Sequence, residues 1–263
     1  MKKKNGMLKY FNEHALDDTY SRIIGYLMTN VQEISKLTIV KLASKTFVSP
    51  ATVTRFSKYF GYQSFHEMIY SLPEELSPTP NFTYRLTKND LNIMKQQPKK
   101  FLEIYGERVI DSINDAVTTI NIHQSDVLLE KIYKSNSIYL FAYSSAVDVA
   151  RKMQSAMVFN GKLLFLGHDE EQQLDFAKTM GPKSLAIIIS SFGGFFSNNS
   201  DVFREIQKSK AETVLITQSS NIRNSAELDF IVQITKNDTM MSGNFPLFFY
   251  TEYLLSRYVE LYR

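Results

Sequence analysis

The chain has 263 residues, 44% of them hydrophobic, a formal net charge of +3, and neither cysteine nor tryptophan. That length means one large domain or two of ordinary size, and that apolar fraction excludes wholesale disorder. The lack of cysteine excludes a disulfide framework, a thiolate metal site and a cysteine nucleophile, and it suits a reducing cytosol.

In chain order, the basic start at residues 1–4 is followed by mixed polar and apolar sequence, so no signal peptide is expected. No apolar run approaches the roughly 20 residues of a membrane span, and a cytoplasmic protein without a membrane partner is expected. Tyr20, Ile23, Ile24, Leu27 and Met28 then recur at helical spacing.

The sharpest local pattern follows at residues 38–59, TIVKLASKTFVSPATVTRFSKY. Thr38 is placed to cap one helix and Ser49 a second, with Pro50 at a first helical position, where a missing N–H costs nothing. Only Thr46, Phe47 and Val48 separate the two. Ala43 is small enough for a helix crossing, and Ile39, Leu42, Val48, Val53 and Phe56 have the spacing of a wedge between the pair. This is a helix-turn-helix, whose second helix must carry a polar face into the DNA major groove. Ser49, Ala51, Thr52, Thr54, Arg55 and Lys58 fall on that face. Arg55 suits bidentate contact to guanine, while Thr52, Thr54 and Lys58 suit phosphates or base edges. Phe47 stands where such turns often use glycine to reach positive φ, so strain or a modified turn is expected there. The plain alternative is a helical subdomain without DNA contact.

Charge agrees with the pattern. Residues 1–72 carry ten basic and five acidic side chains, and residues 73–263 carry 20 and 22, giving net charges of +5 and −2. A break is expected at residues 73–83, where Pro73, Pro78 and Pro80 sit among acidic and small polar residues. The domains read as 1–76, a helix-turn-helix unit; 77–97, a linker; and 98–263, an effector and dimerisation domain led by a helix.

Residues 101–120 and 127–133 read as helices. After them, short apolar runs at 138–142, 163–166, 185–189, 213–217 and 230–234 alternate with amphipathic segments at 147–159, 171–180, 199–208 and 224–227. That alternation predicts a doubly wound α/β domain with a five-stranded parallel sheet, and ligands then bind beyond the carboxyl ends of the strands. An apolar, aromatic helix at 247–262 closes the chain and suits packing on the domain or pairing with another subunit.

Residues 48–56, VSPATVTRF, followed by KYFGYQSFHEM at 58–68, resemble the N-terminal domain of RpiR-type (MurR-type) transcription regulators. The second half is similar, in order and spacing, to the sugar-isomerase (SIS) domain of that family. The resemblance implies an all-α helix-turn-helix domain followed by an SIS-like doubly wound domain. It also implies a homodimer that binds double-stranded operator DNA and a phosphorylated sugar or related metabolite; pairing of dimers into a tetramer stays open. No cofactor or metal is implied.

The ligand loops depart from the family pattern. The first, roughly Phe-Gly-x-Gly-x-Ser, is here Phe141-Ala142-Tyr143-Ser144-Ser145-Ala146. The second, roughly Ser-x-Ser-Gly-x-Thr, is Ser190-Ser191-Phe192-Gly193-Gly194-Phe195. The retained effector candidates are Ser144, Ser145, Ser190, Ser191, Gly193, Gly194 and Ser197, placed ahead of a helix expected from Asn199. Losing two phosphate donors weakens phosphate binding by about a hundredfold or more, so a less charged ligand, or a domain kept for dimerisation, competes with the phosphosugar. The alternative in another class is a sugar-phosphate isomerase, for which His168, Asp169, Glu170, Glu171 and Glu252 are the acid–base candidates. The plain reading of 168–171 is a helix start, where acids favour the dipole. No catalytic residue is assigned.

Overall fold

A computed structural model describes residues 3–76, 85–222, 224–237 and 240–263, and in it the chain separates into two units, Met1–Tyr84 and Arg85–Arg263.

The first unit is helical: α1 (Lys3–Glu13), α2 (Thr19–Thr29), a 3-10 turn (Val31–Lys36), α3 (Ile39–Thr46), α4 (Pro50–Tyr59) and α5 (Phe65–Leu76). The starts of α2, α3 and α4 have a chemical cause. The Asp18 carboxylate accepts the N–H groups of Tyr20 and Ser21 at the head of α2, and Thr38 and Ser49 cap α3 and α4. The apolar faces of these helices meet in one core, in which Ile23, Ile24, Leu27, Leu42, Val53, Phe56 and Met68 are fully buried. Pro73 does not begin the break expected at 73: α5 runs through it to Leu76. A proline in the last turn of a helix removes only one backbone hydrogen bond, and the rest of the helix holds it.

The second unit opens with α6 (Lys88–Gln96), α7 (Pro98–Thr119) and α8 (Ile122–Lys134). Helix α6 therefore occupies Lys88–Gln96, within the stretch expected as a linker at 77–97; residues 77–84 lie outside those described. Helix α6 escaped the sequence reading because Lys88–Gln96 is mostly polar. It forms because Thr87 and Asp90 make a reciprocal capping box, and because Asp90 then pairs with Arg108 of α7.

Strands β1 (Ile138–Ala142), β2 (Leu164–Leu166), β3 (Leu185–Ser190), β4 (Glu212–Thr217) and β5 (Phe230–Gln233) alternate with helices α9 (Ala146–Phe159), α10 (Glu170–Thr179), α11 (Gly194–Asn198) and α12 (Ser200–Ser209). The sheet has the order β2-β1-β3-β4-β5, all parallel, as the alternation predicted. Every residue of β3 is buried, because side chains of a parallel strand meet helices on both faces. Leu185, Ile187 and Ile189 join the core under α8, α9 and the closing helix α13 (Phe245–Tyr262), while Ala186 and Ile188 join the one under α10 and α12. Helix α13 packs within its own unit: the Tyr250 hydroxyl meets Ser125 Oγ at 3.2 Å, and Arg257 forks onto Asp126 with both contacts at 2.9 Å.

β2 is too short to pair with the end of β1, so Ala142 has no strand neighbour on that side. Gln173 of α10 takes its place, accepting the Ala142 N–H at 3.2 Å and donating to its carbonyl at 3.1 Å. The approach of Gln173 demands a glycine beneath it: a Cβ on Gly167 would lie 2.7 Å from Gln173.

Candidate DNA-reading helix and effector loops

The turn between α3 and α4 contains only Phe47 and Val48 before the Ser49 cap. Phe47 has φ 55° and ψ 44°, the left-handed conformation expected of a glycine there, and its ring is 84% exposed. Its N–H and that of Val48 close the helix on the carbonyls of Ser44 and Ala43. Ser49 Oγ accepts the Thr52 N–H at 3.1 Å, so α4 starts where the sequence placed it. Val53 and Phe56 face the core, leaving Ser49, Ala51, Arg55 and Lys58 exposed and Thr52 and Thr54 half-buried. All six expected positions therefore lie on the outer side of α4, with Thr38 exposed at the head of α3. No acidic residue occurs on α4, and Ser49, Ala51, Arg55 and Lys58 stay exposed among the described residues. Arg55 Nη2 donates to Thr52 Oγ1 at 3.3 Å, a local contact that holds the guanidinium along the helix.

The effector candidates cluster at the carboxyl ends of β1 and β3 but differ in what they touch. Ser144 is exposed and has φ 56°, in the left-handed region that favours glycine. Ser145 stands at the head of α9 and makes no capping bond. Ser190 and Ser191 are buried and occupied: Ser190 Oγ accepts the Phe195 N–H at 3.3 Å, and Ser191 Oγ donates to Asn244 Oδ1 at 2.8 Å. Gly193 has φ 78° and heads the short helix α11, and the Tyr143 ring lies 3.6 Å from where a Cβ on Gly194 would be.

One detail departs from expectation. The helix expected from 199 is present as α12 but is preceded by α11, so Ser197 lies ahead of α12 and also in the last turn of α11, where its hydroxyl donates to the Gly194 carbonyl. Three residues that the sequence did not single out brace these loops. Thr217 Oγ1 donates to the Ser190 carbonyl at 2.6 Å, Gln218 joins the Ser191 and Gly243 carbonyls through its N–H and side-chain amide, and Asn244 holds Ser191. The signal for Thr217 and Gln218 was only their place at the end of a predicted strand.

Two of the acid–base candidates have other partners. Asp169 caps α10 by accepting the Gln172 N–H at 2.9 Å, and Glu252 of α13 pairs with Lys152 at 2.5 Å. Among the described residues no three His, Asp or Glu side chains gather as a metal site would require.

Residues 6–79 match the family model for the helix-turn-helix domain of the rpiR family. A helix-turn-helix-type transcriptional regulator of Providencia stuartii is 20% identical over 200 residues, covering 76% of this chain and 69% of that protein. Vibrio vulnificus NanR, solved in complex with ManNAc-6P, superposes with a TM-score of 0.53 at 17% identity, covering 92% of this chain and 86% of that one. The sugar isomerase domain of an RpiR transcription factor from Sphaerobacter thermophilus superposes with a TM-score of 0.54 at 13% identity, covering 63% of this chain and 91% of that one. The helix-turn-helix region thus matches the rpiR-family model, and the second unit shares the fold of a sugar isomerase domain.

Proposed function

We propose that the chain is a bacterial transcription regulator whose operator binding responds to a sugar phosphate or a related carbohydrate. Helix α4 reads DNA through Ser49, Ala51, Thr52, Thr54, Arg55 and Lys58, with Thr38 against a phosphate. The observation that carries this reading is the outer face of α4, which is polar, free of acids and largely exposed among the described residues. The carbohydrate class is supported by the sugar-isomerase fold and by the ligand bound to NanR. A homodimer on a two-fold operator in the cytoplasm follows from the same reading.

Ligand energy switches such a protein only if the ligand prefers one of two arrangements. Helices α6 and α7, which come directly after the DNA-binding unit in the chain, are the elements through which that preference is passed on. An isomerase reading is less well supported: two of its five acid–base candidates are already engaged, Asp169 in a helix cap and Glu252 with Lys152.

Selection from a random duplex library supplies an operator, and Arg55→Ala then tests the helix. The expected result is an affinity about 10- to 100-fold weaker by fluorescence anisotropy, with unchanged circular dichroism. Equal affinity of the variant would remove α4 as the reading helix.

A further inference from the structure

Helix α7 carries a glycine near its middle that its own chain does not call for. Gly106 has no positive φ, and a Cβ built on it would meet nothing within 4 Å. Neither turn geometry nor packing among the described residues therefore needs a glycine there, and inside a helix it is less stable than alanine. What glycine adds is a bare stretch of backbone on which another chain can lie close. Leu102 and Ile110 stand four residues to either side, one turn away on the same face, and are 61% and 60% exposed. Ile113, half-buried, and Val117, exposed, continue the stripe. The charges on this face, Lys99 and Glu103, pair with each other at 3.8 Å. The other side of α7 is inward: Ser112 and Ala116 are buried, and Ala116 belongs to the core under the sheet.

Two features name the occupant. A face that meets its own copy across a two-fold axis must be complementary to itself, and this one is symmetric about Gly106. In an antiparallel crossing at that residue, Leu102 of each copy covers Ile110 of the other. The charges select the same direction. The first turn of α7 holds Lys99 and Lys100 and no acid, against the helix dipole, while the exposed Asp111 lies beyond the centre. An antiparallel crossing turns the basic start of each helix toward the half of the other that carries Asp111, whereas a parallel one sets like charges together.

We propose that this face of α7 is where a second copy of the chain docks, the two helices crossing antiparallel with Gly106 of each at the two-fold axis. The inference rests on the reading of the chain as a homodimer and adds where the copies touch. An element that passes on the preference of the ligand then sits at the contact between the copies.

The chain has no cysteine, so one introduced thiol reports on its own position alone. Gly106→Cys adds its side chain into open space, and at a crossing with about 8–10 Å between helix axes the two thiols come within reach of a disulfide. Lys100→Cys, about 120° round the same helix, is the control. Both full-length variants are oxidised with copper phenanthroline at low micromolar concentration and followed on non-reducing gels. The expected result is a covalent dimer formed at least about tenfold faster by Gly106→Cys than by Lys100→Cys, and slowed about tenfold or more once Ile110→Glu is added, because a charge then enters the apolar contact. In sedimentation equilibrium, Ile110→Glu and Leu102→Glu, each checked for an unchanged circular dichroism spectrum, should associate at least about tenfold more weakly than the unaltered chain. Equal cross-linking rates at positions 106 and 100, or unchanged association of the two glutamate variants, would overturn the α7 contact; a dimer still seen in the unaltered chain would then keep the homodimer reading. An unaltered chain that sediments as a monomer throughout would overturn both, and the Arg55→Ala measurement would still decide the DNA reading by itself.

Discussion

The outer face of α4 and the carboxyl end of the sheet are both rich in hydroxyl side chains, but they use them differently. On α4, Ser49, Thr52 and Thr54 bond only within their own turn, to one another, to Arg55 or to the Pro50 carbonyl. At the sheet end, Ser191 reaches Asn244, 53 residues away, and Thr217 reaches the Ser190 carbonyl, 27 residues away. A hydroxyl bonded inside an exposed turn can turn toward a phosphate oxygen with little loss. One that bridges buried elements cannot leave without orphaning a partner. The first arrangement is a surface ready for a ligand; the second is a brace. Of the seven effector candidates, Ser190 and Ser191 belong to the second kind.

If that contrast is right, the cost of removing a polar group should fall steadily from the inward groups to the outward ones. The largest effect is expected at Asp90, which is almost wholly buried and serves both Arg108 and the α6 cap. Asp90→Ala should destabilise the second unit by about 3 kcal/mol in chemical denaturation, the lower end for a broken buried pair because Arg108 is partly exposed. The same group predicts an acid limb. The hydrogen bond from Arg108 above all, helped by those from Thr87 and opposed by burial, lowers the Asp90 carboxyl to about 2. A depressed folded-state value stabilises at pH above about 4, and that contribution is lost as the pH falls toward 2. The variant should therefore show a flatter stability profile between pH 4 and 2.

Next in size is Ser191→Ala, which leaves Asn244 Oδ1 buried without its donor; a loss of about 2 kcal/mol is expected by thermal and urea melts. A loss near zero would mean that Ser191 is free to serve a ligand after all. Ser49→Ala removes a cap from an exposed helix end and should cost about 1 kcal/mol in the first unit, with weaker operator binding beside it. The smallest change should have the opposite sign. Ser144→Gly relieves a left-handed backbone, and the gain of about 1 kcal/mol is partly offset by the greater freedom of glycine in the unfolded chain. A differential melt resolves it.

Much of the molecule was legible because it obeys short-range rules. Caps at Thr38 and Ser49, a proline at the head of α4, and a left-handed Phe47 between them are all decided within a few residues. Strand runs such as LAIIIS announce a doubly covered sheet because only burial on both faces tolerates such a sequence. What escaped the sequence reading depends on partners far along the chain. Helix α6 has a weak apolar pattern and rests on a pair 18 residues apart, Asp90 with Arg108. Pro73 was read as a break, but the preceding turns of α5 outweighed one missing hydrogen bond.

The sequence by itself determined that the chain carries a helix-turn-helix and a parallel α/β sheet, which residues of α4 face outward, and where the strands end. Those follow from periodicity, capping and turn chemistry, all local. Only the tertiary structure decided which of the loop serines brace neighbouring elements, and that Asp90 pairs with Arg108 of the next helix. The reason is physical: a hydroxyl or guanidinium has several possible partners in any sequence. Which one it takes depends on what folding brings within about 3 Å of it.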